Sequence, residues 1–184
     1  MRHTISVLVE NKFGVLSRIA GLFSGRGYNI ESLTVGPTHD QTMSKMTIVT
    51  SGDDAVLEQI EKQLTKLVEV LKVTDLTGSG FVARELMLLK IKATPEKRAE
   101  IIAITDVFKA NVVHVDKEAL VLEATGRSEK IDALIALMEP YGIIELARTG
   151  KVALARSGEP TEKLAPAPKP PAAAAEDLAG VTNF

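Results

Sequence analysis

A short loop near the amino terminus carries the residue types best suited to binding a small zwitterion. It runs from Asn11 to Leu16 and connects a predicted strand to a predicted helix. The first N–H groups of a helix have no partner within the helix and carry partial positive charge, so they attract a carboxylate. Gly14 would let a ligand approach the backbone closely, and Asn11 offers both a hydrogen-bond donor and an acceptor. The loop therefore predicts an amino-acid site, with Val15 and Leu16 available to an apolar side chain.

The same loop also has a purely structural explanation. Asn11 is of a type that often caps a helix, and Gly14 suits a turn. The local chemistry by itself leaves both explanations open.

Residues for covalent catalysis and metal binding are sparse. Cysteine is absent, which excludes disulfides, thiolate nucleophiles and cysteine metal sites. The histidines, His3, His39 and His114, fall on a strand, a turn and a strand without ligand spacing. No G-x-S-x-G elbow is present, and Gly25-Arg26-Gly27 leads from a helix into a strand, opposite to a phosphate-binding loop. We predict a non-catalytic protein with no cofactor or metal ion of its own.

Composition excludes several other classes of function. The 184 residues carry a formal net charge of -2, so no global basic field attracts nucleic acid or anionic lipid. Aromatic residues make up only 4%, too few for a platform on which bases stack. No run approaches the roughly 18 apolar residues of a membrane span, and the amino terminus does not read as a signal peptide. We expect a cytoplasmic protein.

Hydrophobic periodicity divides the amino-terminal half into six elements. Apolar residues alternate in the predicted strands and recur at helical spacing in the predicted helices. The strands are predicted at His3–Val9, Asn29–Gly36, Met43–Thr50 and Val68–Leu76, and the helices at Gly14–Ser24 and Asp53–Leu67. Gly25 and Gly27 are expected just past the first helix, in left-handed backbone.

The same order recurs after a flexible stretch at Thr77–Gly80. Strands are predicted at Glu85–Lys92, Asn111–Val115, Leu120–Thr125 and Ile143–Ala147, with a further short strand at Val152–Ala155. One helix is expected to begin with Thr94 as its cap and Pro95 at its first position, and another spans Ser128–Met138.

Two successive β-α-β-β-α-β units predict an α+β fold of two tandem ferredoxin-like domains, residues 1–77 and 82–157. Each would form a four-stranded antiparallel sheet with both helices on one face. The other face would be uncovered and the edge strands unpaired, which predicts pairing with a second copy. Residues 158–184, rich in proline and alanine, are expected to form a flexible tail.

Several segments together resemble a known family. They are ENKFGVLSRIAGLF at 10–23, RGYNIESLTVG at 26–36, KMTIV at 45–49, EQIEKQLTKL at 58–67, ARTG at 147–150 and VALAR at 152–156. This combination resembles the small regulatory subunit of acetolactate (acetohydroxyacid) synthase over roughly residues 1–157. The stretch from residue 11 to 36 is the most specific part.

The resemblance implies an amino-terminal ACT domain that binds a branched-chain amino acid, usually valine, at a homodimer interface. It assigns to that site Asn11, Gly14, Val15 and Leu16 from one chain, with Ser17 near the same turn, and Asn29 and Ile30 from the partner chain. The carboxy-terminal domain would bind and activate a catalytic large subunit that holds thiamine diphosphate, magnesium and FAD. The chain would then confer feedback inhibition in valine, leucine and isoleucine biosynthesis.

Two features depart from the family pattern, the large ring of Phe13 in the effector loop and the tail after residue 157. A free-standing ACT-type amino-acid sensor without a synthase partner remains the alternative. An acylphosphatase of the same fold would need an arginine in the Glu10–Gly14 loop, which has none. An RNA-binding module would need aromatic residues where the central strands carry Val7 and Ile48.

Overall fold

The structure, a computed structural model, describes residues 1–78 and 80–156 of the chain. These residues form two α+β units in succession, which confirms the predicted fold class. The predicted tail, residues 158–184, lies outside the described residues.

The first unit is a four-stranded antiparallel sheet with two helices. Its elements are β1 (Arg2–Glu10), α1 (Val15–Gly25), β2 (Ile30–Pro37), β3 (Met43–Ser51), α2 (Asp54–Leu64) and β4 (Val70–Asp75). The strand order is β2-β3-β1-β4, so β2 and β4 are the edges of the sheet. Alternate residues of β1 and β3 pack against one stripe of each helix, because side chains repeat every second residue in a strand and about every 3.6 residues in a helix. The core includes Ile5, Val7, Val9, Met46 and Ile48 from the strands and Ile19, Phe23, Ile60 and Leu64 from the helices.

The ends of the first two helices differ from the predicted ones by a few residues. Helix α2 begins after Asp53, whose side chain accepts a hydrogen bond of 2.8 Å from the Val56 N–H, and it ends at Leu64 rather than Leu67. Gly25 is the last residue of α1, so its predicted place past the helix is wrong. Only Gly27, with φ of 71°, takes the left-handed conformation there.

The second unit repeats the arrangement and adds one strand. Its elements are β5 (Phe81–Lys92), α3 (Pro95–Val107), β6 (Asn111–Val115), β7 (Ala119–Gly126), α4 (Ser128–Met138), β8 (Ile143–Arg148) and β9 (Val152–Ala155). The sheet order is β6-β7-β5-β8. Thr94 occupies the N-cap position of α3, but its side chain makes no capping hydrogen bond. A second core contains Met87, Leu89, Ile91, Ile101, Leu120, Leu122, Ile131, Leu134 and Met138.

Strand β9 joins the two units. Strand β5 begins at Phe81, four residues before its predicted start, and its first four residues pair with β9. Strand β9 also reaches the first unit, where the Ala153 N–H donates a 3.3 Å hydrogen bond to Thr47 Oγ1. Thr47 lies on the face of the first sheet that points away from the helices, and Ser6 on the same face is buried. The prediction that this face is uncovered is therefore wrong for the first unit.

None of the helices in the described part of the chain is both long and apolar enough to cross a membrane. Within residues 1–78 and 80–156, no group of three His, Asp or Glu residues could hold a metal ion.

Candidate functional site

The start of helix α1 is open to a ligand. Its N-cap residue is Gly14, which has φ of 83° and provides no side-chain cap, and the first turn contains no acidic residue. The N–H groups of Leu16 and Ser17 therefore lack an acceptor within the helix. The carbonyl of Gly14 accepts the first hydrogen bond of the helix, 3.0 Å from the Arg18 N–H. This geometry leaves the positive end of the helix dipole without a carboxylate from its own first turn.

Asn11 does not cap this helix. Its Nδ2 donates a 2.9 Å hydrogen bond to the carbonyl of Gln41, and its backbone N–H donates a 2.7 Å bond to the carbonyl of Thr42. Both acceptors lie in the turn between β2 and β3. The structural explanation of Asn11 as a helix cap is therefore wrong, and Asn11 instead holds the β1–α1 loop against that turn.

The apolar side chains of the loop divide between the core and the surface. Val15 is only 4% exposed and packs in the core of the first unit. Its backbone is near the helix start, but its side chain points away from a ligand at the surface. Leu16 is 45% exposed, and Phe13 is fully exposed at the tip of the loop. Leu16 and Phe13 therefore form the apolar surface beside the open helix start, and Ser17 is exposed next to them.

The charged side chains of this loop are already paired. Lys12 Nζ lies 2.8 Å from Glu10 Oε2, and Arg18 forms an ion pair with Glu69 on the segment before β4. In the adjacent turn, hydrogen bonds from the Thr42 side chain and backbone lower the pKa of Asp40. The start of helix α1 therefore remains the main positively polarised feature of the loop, and no side chain of the loop pairs with it.

The structure does not bring Asn29 and Ile30 to this loop within one chain. Ile30 pairs with Thr50, which pairs with His3 at the beginning of β1, whereas Asn11 follows the end of β1. Seven residue steps separate His3 from Glu10, the last residue of β1, which corresponds to about 23 Å at roughly 3.3 Å per residue. The two groups of predicted site residues thus lie at opposite ends of the same sheet.

The end of the sheet that carries Asn29 holds an ion pair. The hydrogen bond from Ser51 is the main cause that lowers the pKa of Glu31, and Arg2 contributes through its charge and its own hydrogen bond. Arg2 Nε lies 2.6 Å from Glu31 Oε2. Asn29 itself is exposed, and its carbonyl accepts a 2.7 Å hydrogen bond from Thr50 Oγ1. An ionised carboxylate therefore lies two residues from the amide of Asn29.

Sequence reasoning did not assign a role to the cleft between the two units. This cleft has a volume of about 380 Å³ and is lined mainly by charged residues: Arg2, Glu31, Glu85, Asp132, Arg148 and Lys151. In the sequence, the segment at residues 147–150 contributes only to the family resemblance. Nothing in its local pattern predicts that it meets strand β2, more than a hundred residues earlier in the chain.

Fold and loop together define a class of protein. A family model described as the AHAS small subunit-like ACT domain matches residues 5–72, which include most of β1, the open start of α1 and strand β2. The first unit is therefore an ACT domain. A second family model, described as the small subunit of acetolactate synthase, matches residues 84–157.

Individual relatives agree with both matches. The chain is 55% identical over 159 residues to a probable acetolactate synthase small subunit of Archaeoglobus fulgidus, covering 86% of this chain and 99% of the relative. It is 51% identical over 154 residues to the acetolactate synthase small subunit of Mycolicibacterium smegmatis, covering 84% and 91% of the two chains. The crystal structure of the acetolactate synthase small subunit of Thermotoga maritima superposes with a TM-score of 0.80 at 40% identity, covering 86% and 99%.

The chain thus belongs to the family of acetolactate synthase small subunits, the regulatory rather than the catalytic component of that enzyme. This confirms the resemblance found in the sequence.

Proposed function

We propose that this chain activates the catalytic large subunit of acetolactate synthase and confers feedback inhibition by valine in branched-chain amino acid biosynthesis. Membership of the small-subunit family supports the partner and the pathway. The observation that carries the proposal of an amino-acid effector is the uncapped start of α1 at Gly14, beside the exposed side chain of Leu16.

The effector carboxylate would accept hydrogen bonds from the free N–H groups at the start of α1. A carboxylate at a helix start contributes about 0.3–1 kcal/mol when exposed and up to about 2 kcal/mol when partly buried. Burial of a valine-sized side chain, here against Leu16, adds about 1.5–3 kcal/mol. The binding free energy is smaller than the sum because association costs translational and rotational freedom. Leucine and isoleucine would bind more weakly, since one methylene changes affinity by about 1–3 kcal/mol.

A second copy of the chain completes this site. Because Asn29 and Ile30 lie at the opposite end of the sheet from Asn11, they can meet the helix start only in another molecule. A two-fold axis beside edge strand β2 would place the Asn29 end of one chain next to the Asn11 end of its partner. We therefore propose a homodimer through the ACT domain, with Asn11, Gly14, Val15, Leu16 and Ser17 from one chain and Asn29 and Ile30 from the other. Val15 would contribute through its backbone alone.

The catalytic chemistry would belong to the large subunit. We propose that the large subunit holds thiamine diphosphate, magnesium and FAD, and that the complex works in the cytoplasm. The second domain would contact the large subunit, so that the state of the ACT domain reaches the active site through the junction between the two domains. Inhibition requires the effector to favour one state of the complex, with a coupling free energy of typically about 1–3 kcal/mol.

Titration calorimetry with valine tests the proposal, with leucine and alanine for comparison. The full chain would be titrated alone and as a complex with its large subunit, and synthase activity would be measured in parallel. We expect saturable valine binding, a rise in activity when the chain is added, and a fall when valine follows.

Each other outcome has a distinct meaning. Activation without valine binding would contradict the effector site but retain the activating role. Valine binding without activation would instead support a free-standing amino-acid sensor.

A further inference from the structure

The contact between the two domains includes a three-residue turn, Thr149, Gly150 and Lys151, which we call the junction turn. It connects β8 to β9 and lies against the face of β2 that points away from the helices. The Oγ1 of Thr34 donates a 3.1 Å hydrogen bond to the Thr149 carbonyl. The Lys151 N–H donates a 3.2 Å bond to Ser32 Oγ. The junction turn therefore contacts the strand that begins immediately after Asn29.

Gly150 makes the closest approach in this contact. Its φ of 83° lies in the left-handed region, and a Cβ added there would come 2.5 Å from Ser32 Oγ and 2.9 Å from Thr34 Oγ1. Real Cβ atoms essentially never come this close, so either the two hydroxyls rotate away and lose their hydrogen bonds to the turn, or β2 and the turn separate. At this position glycine is required both by the backbone conformation and by the neighbouring strand.

The other side of the junction turn is bound to the second domain. The Thr149 N–H donates a 3.0 Å hydrogen bond to the Leu86 carbonyl, and the Leu86 N–H donates a 3.1 Å bond to Thr149 Oγ1. The preceding residue, Arg148, binds both carboxylate oxygens of Glu85, at 2.5 and 3.2 Å. It also lies 2.7 Å from Asp132 Oδ1 on helix α4. The turn is thus held by β5 directly and by α4 through Arg148.

We propose that the junction turn carries the state of the effector site from strand β2 to the second domain. This inference rests on the proposed function, because it concerns the path by which effector binding at one end of β2 changes the activity of the large subunit. An effector that contacts Asn29 and Ile30 shifts or stiffens the start of β2. Ser32 and Thr34, two and four residues further along the strand, transmit that change to Gly150. From Gly150 the change reaches β5 through the hydrogen bonds of Thr149, and it reaches α4 through Arg148.

The test separates effector binding from inhibition in the Gly150→Ala variant. We expect the variant to bind valine within about threefold of the wild-type affinity and to activate the large subunit. Saturating valine should inhibit the synthase complex with this variant only slightly. The coupling factor between two allosteric sites is typically about 5–150-fold, and in this variant it should fall toward onefold. A purely structural role of the turn would lower thermal stability and leave inhibition unchanged.

Matched variants distinguish a loss of coupling between the two domains from the effect of backbone strain. Gly142→Ala introduces a side chain at another left-handed glycine, with φ of 95°, where the nearest atoms belong to the flexible Lys92 side chain. It should retain full inhibition. The double variant Ser32→Ala with Thr34→Val removes the hydrogen bonds to the turn without backbone strain, and it should reproduce the loss if Gly150→Ala does not fold. Thr74→Val is its control, because Thr74 Oγ1 is buried and has no hydrogen-bond partner among the described residues.

Two failures can be told apart. If the wild-type chain binds no valine, the proposed function is wrong and this inference falls with it. If the wild type is inhibited and both junction variants are inhibited equally, only the inference is wrong. Loss of valine binding itself in both junction variants would also overturn it, since the turn would then be part of the site rather than the link from it.

Discussion

At the scale of single residues, Gly14 and Gly150 are glycines for two different physical reasons. Both Gly14 and Gly150 have φ of 83°. A Cβ at Gly14 would meet nothing within 4 Å, whereas one at Gly150 would strike two hydroxyls of β2. Packing in the single chain therefore does not explain Gly14. The free space above it suits a ligand at the helix start.

We predict that Gly14→Asp strongly weakens valine binding, and that the domain still folds despite the strain of a side chain at φ of 83°. The new carboxylate would lie at the helix start, where it would repel the effector carboxylate and compete with it for the positive end of the helix dipole. Calorimetry should show a Kd raised by at least about tenfold, corresponding to about 1.4 kcal/mol. Activation of the large subunit should persist.

Gly21→Asp is the control for the added charge, although Gly21, unlike Gly14, does not have a positive φ. It adds the same charge to an exposed position of the same helix, where a Cβ also meets nothing within 4 Å. Valine affinity close to wild type is expected. Equal losses in both variants would show that added charge, rather than the helix start, is responsible.

At the scale of elements, helix α1 fixes both ends of the predicted site. Its start exposes N–H groups, and its end sets the turn that leads to Asn29. In that turn Phe23 packs edge-on against Tyr28 with ring centroids 6.2 Å apart, and the Tyr28 N–H donates a 3.0 Å hydrogen bond to the Phe23 carbonyl. The Tyr28 hydroxyl donates a 2.9 Å bond to Gln59 on α2. The position of Asn29 therefore depends on core packing.

We predict that Phe23→Ala lowers the free energy of unfolding by about 3–5 kcal/mol, because Phe23 is almost fully buried. Phe13→Ala makes the same chemical change at a fully exposed ring and should change it by less than about 0.5 kcal/mol. Urea unfolding followed by circular dichroism would measure both values. A similar cost for the two variants would contradict the assignment of Phe23 to the core and Phe13 to the surface.

At the scale of the whole molecule, the two groups of predicted site residues lie about 23 Å apart along the sheet at roughly 3.3 Å per strand residue, so the proposed site would need two chains. A symmetric dimer contains two such sites, and each chain contributes a different half to each of them. The proposed arrangement would make effector binding dependent on association. It would also place β2 both beside the dimer axis and against the junction turn, so the dimer geometry and the second domain would meet on one strand.

We predict that two inactive variants complement each other when mixed. Gly14→Asp should damage one half of the site and Asn29→His the other half, so each homodimer alone should bind valine only weakly. After subunit exchange, a heterodimer has one doubly altered site and one intact site. About a quarter of all sites should then bind valine, since about half of the dimers are mixed.

Calorimetry of the exchanged mixture would measure this stoichiometry, and sedimentation equilibrium would establish that the dimers form. A mixture of wild type with Gly14→Asp should bind at half of all sites whether or not subunits exchange, so it serves as the reference for stoichiometry. Recovery of no sites, in a mixture shown to contain heterodimers, would place the whole site within one chain and contradict the proposal.

The sequence by itself determined the order of the elements, the two cores and the family. Period-two alternation in β1 and helical spacing in α1 identify Ile5, Val7, Ile19 and Phe23 as core residues without any knowledge of their partners. The same helical spacing also includes Leu16, which is exposed. The identity of the family depended on the specific residues of the stretch from 11 to 36. These are local signals, readable from neighbours in the chain.

Only the tertiary structure decided which distant groups meet. Asn11 binds Gln41, thirty residues later, and Ala153 binds Thr47 across 106 positions. Periodicity shows which face of an element is apolar but not what covers it, so the sequence could not reveal that β9 reaches the first sheet. It also could not show that Val15 turns into the core while Leu16 faces solvent, or that Asn29 lies far from Asn11 in one chain. The physical reason is that a strand fixes the direction of its side chains locally, whereas its partners depend on how the whole chain closes.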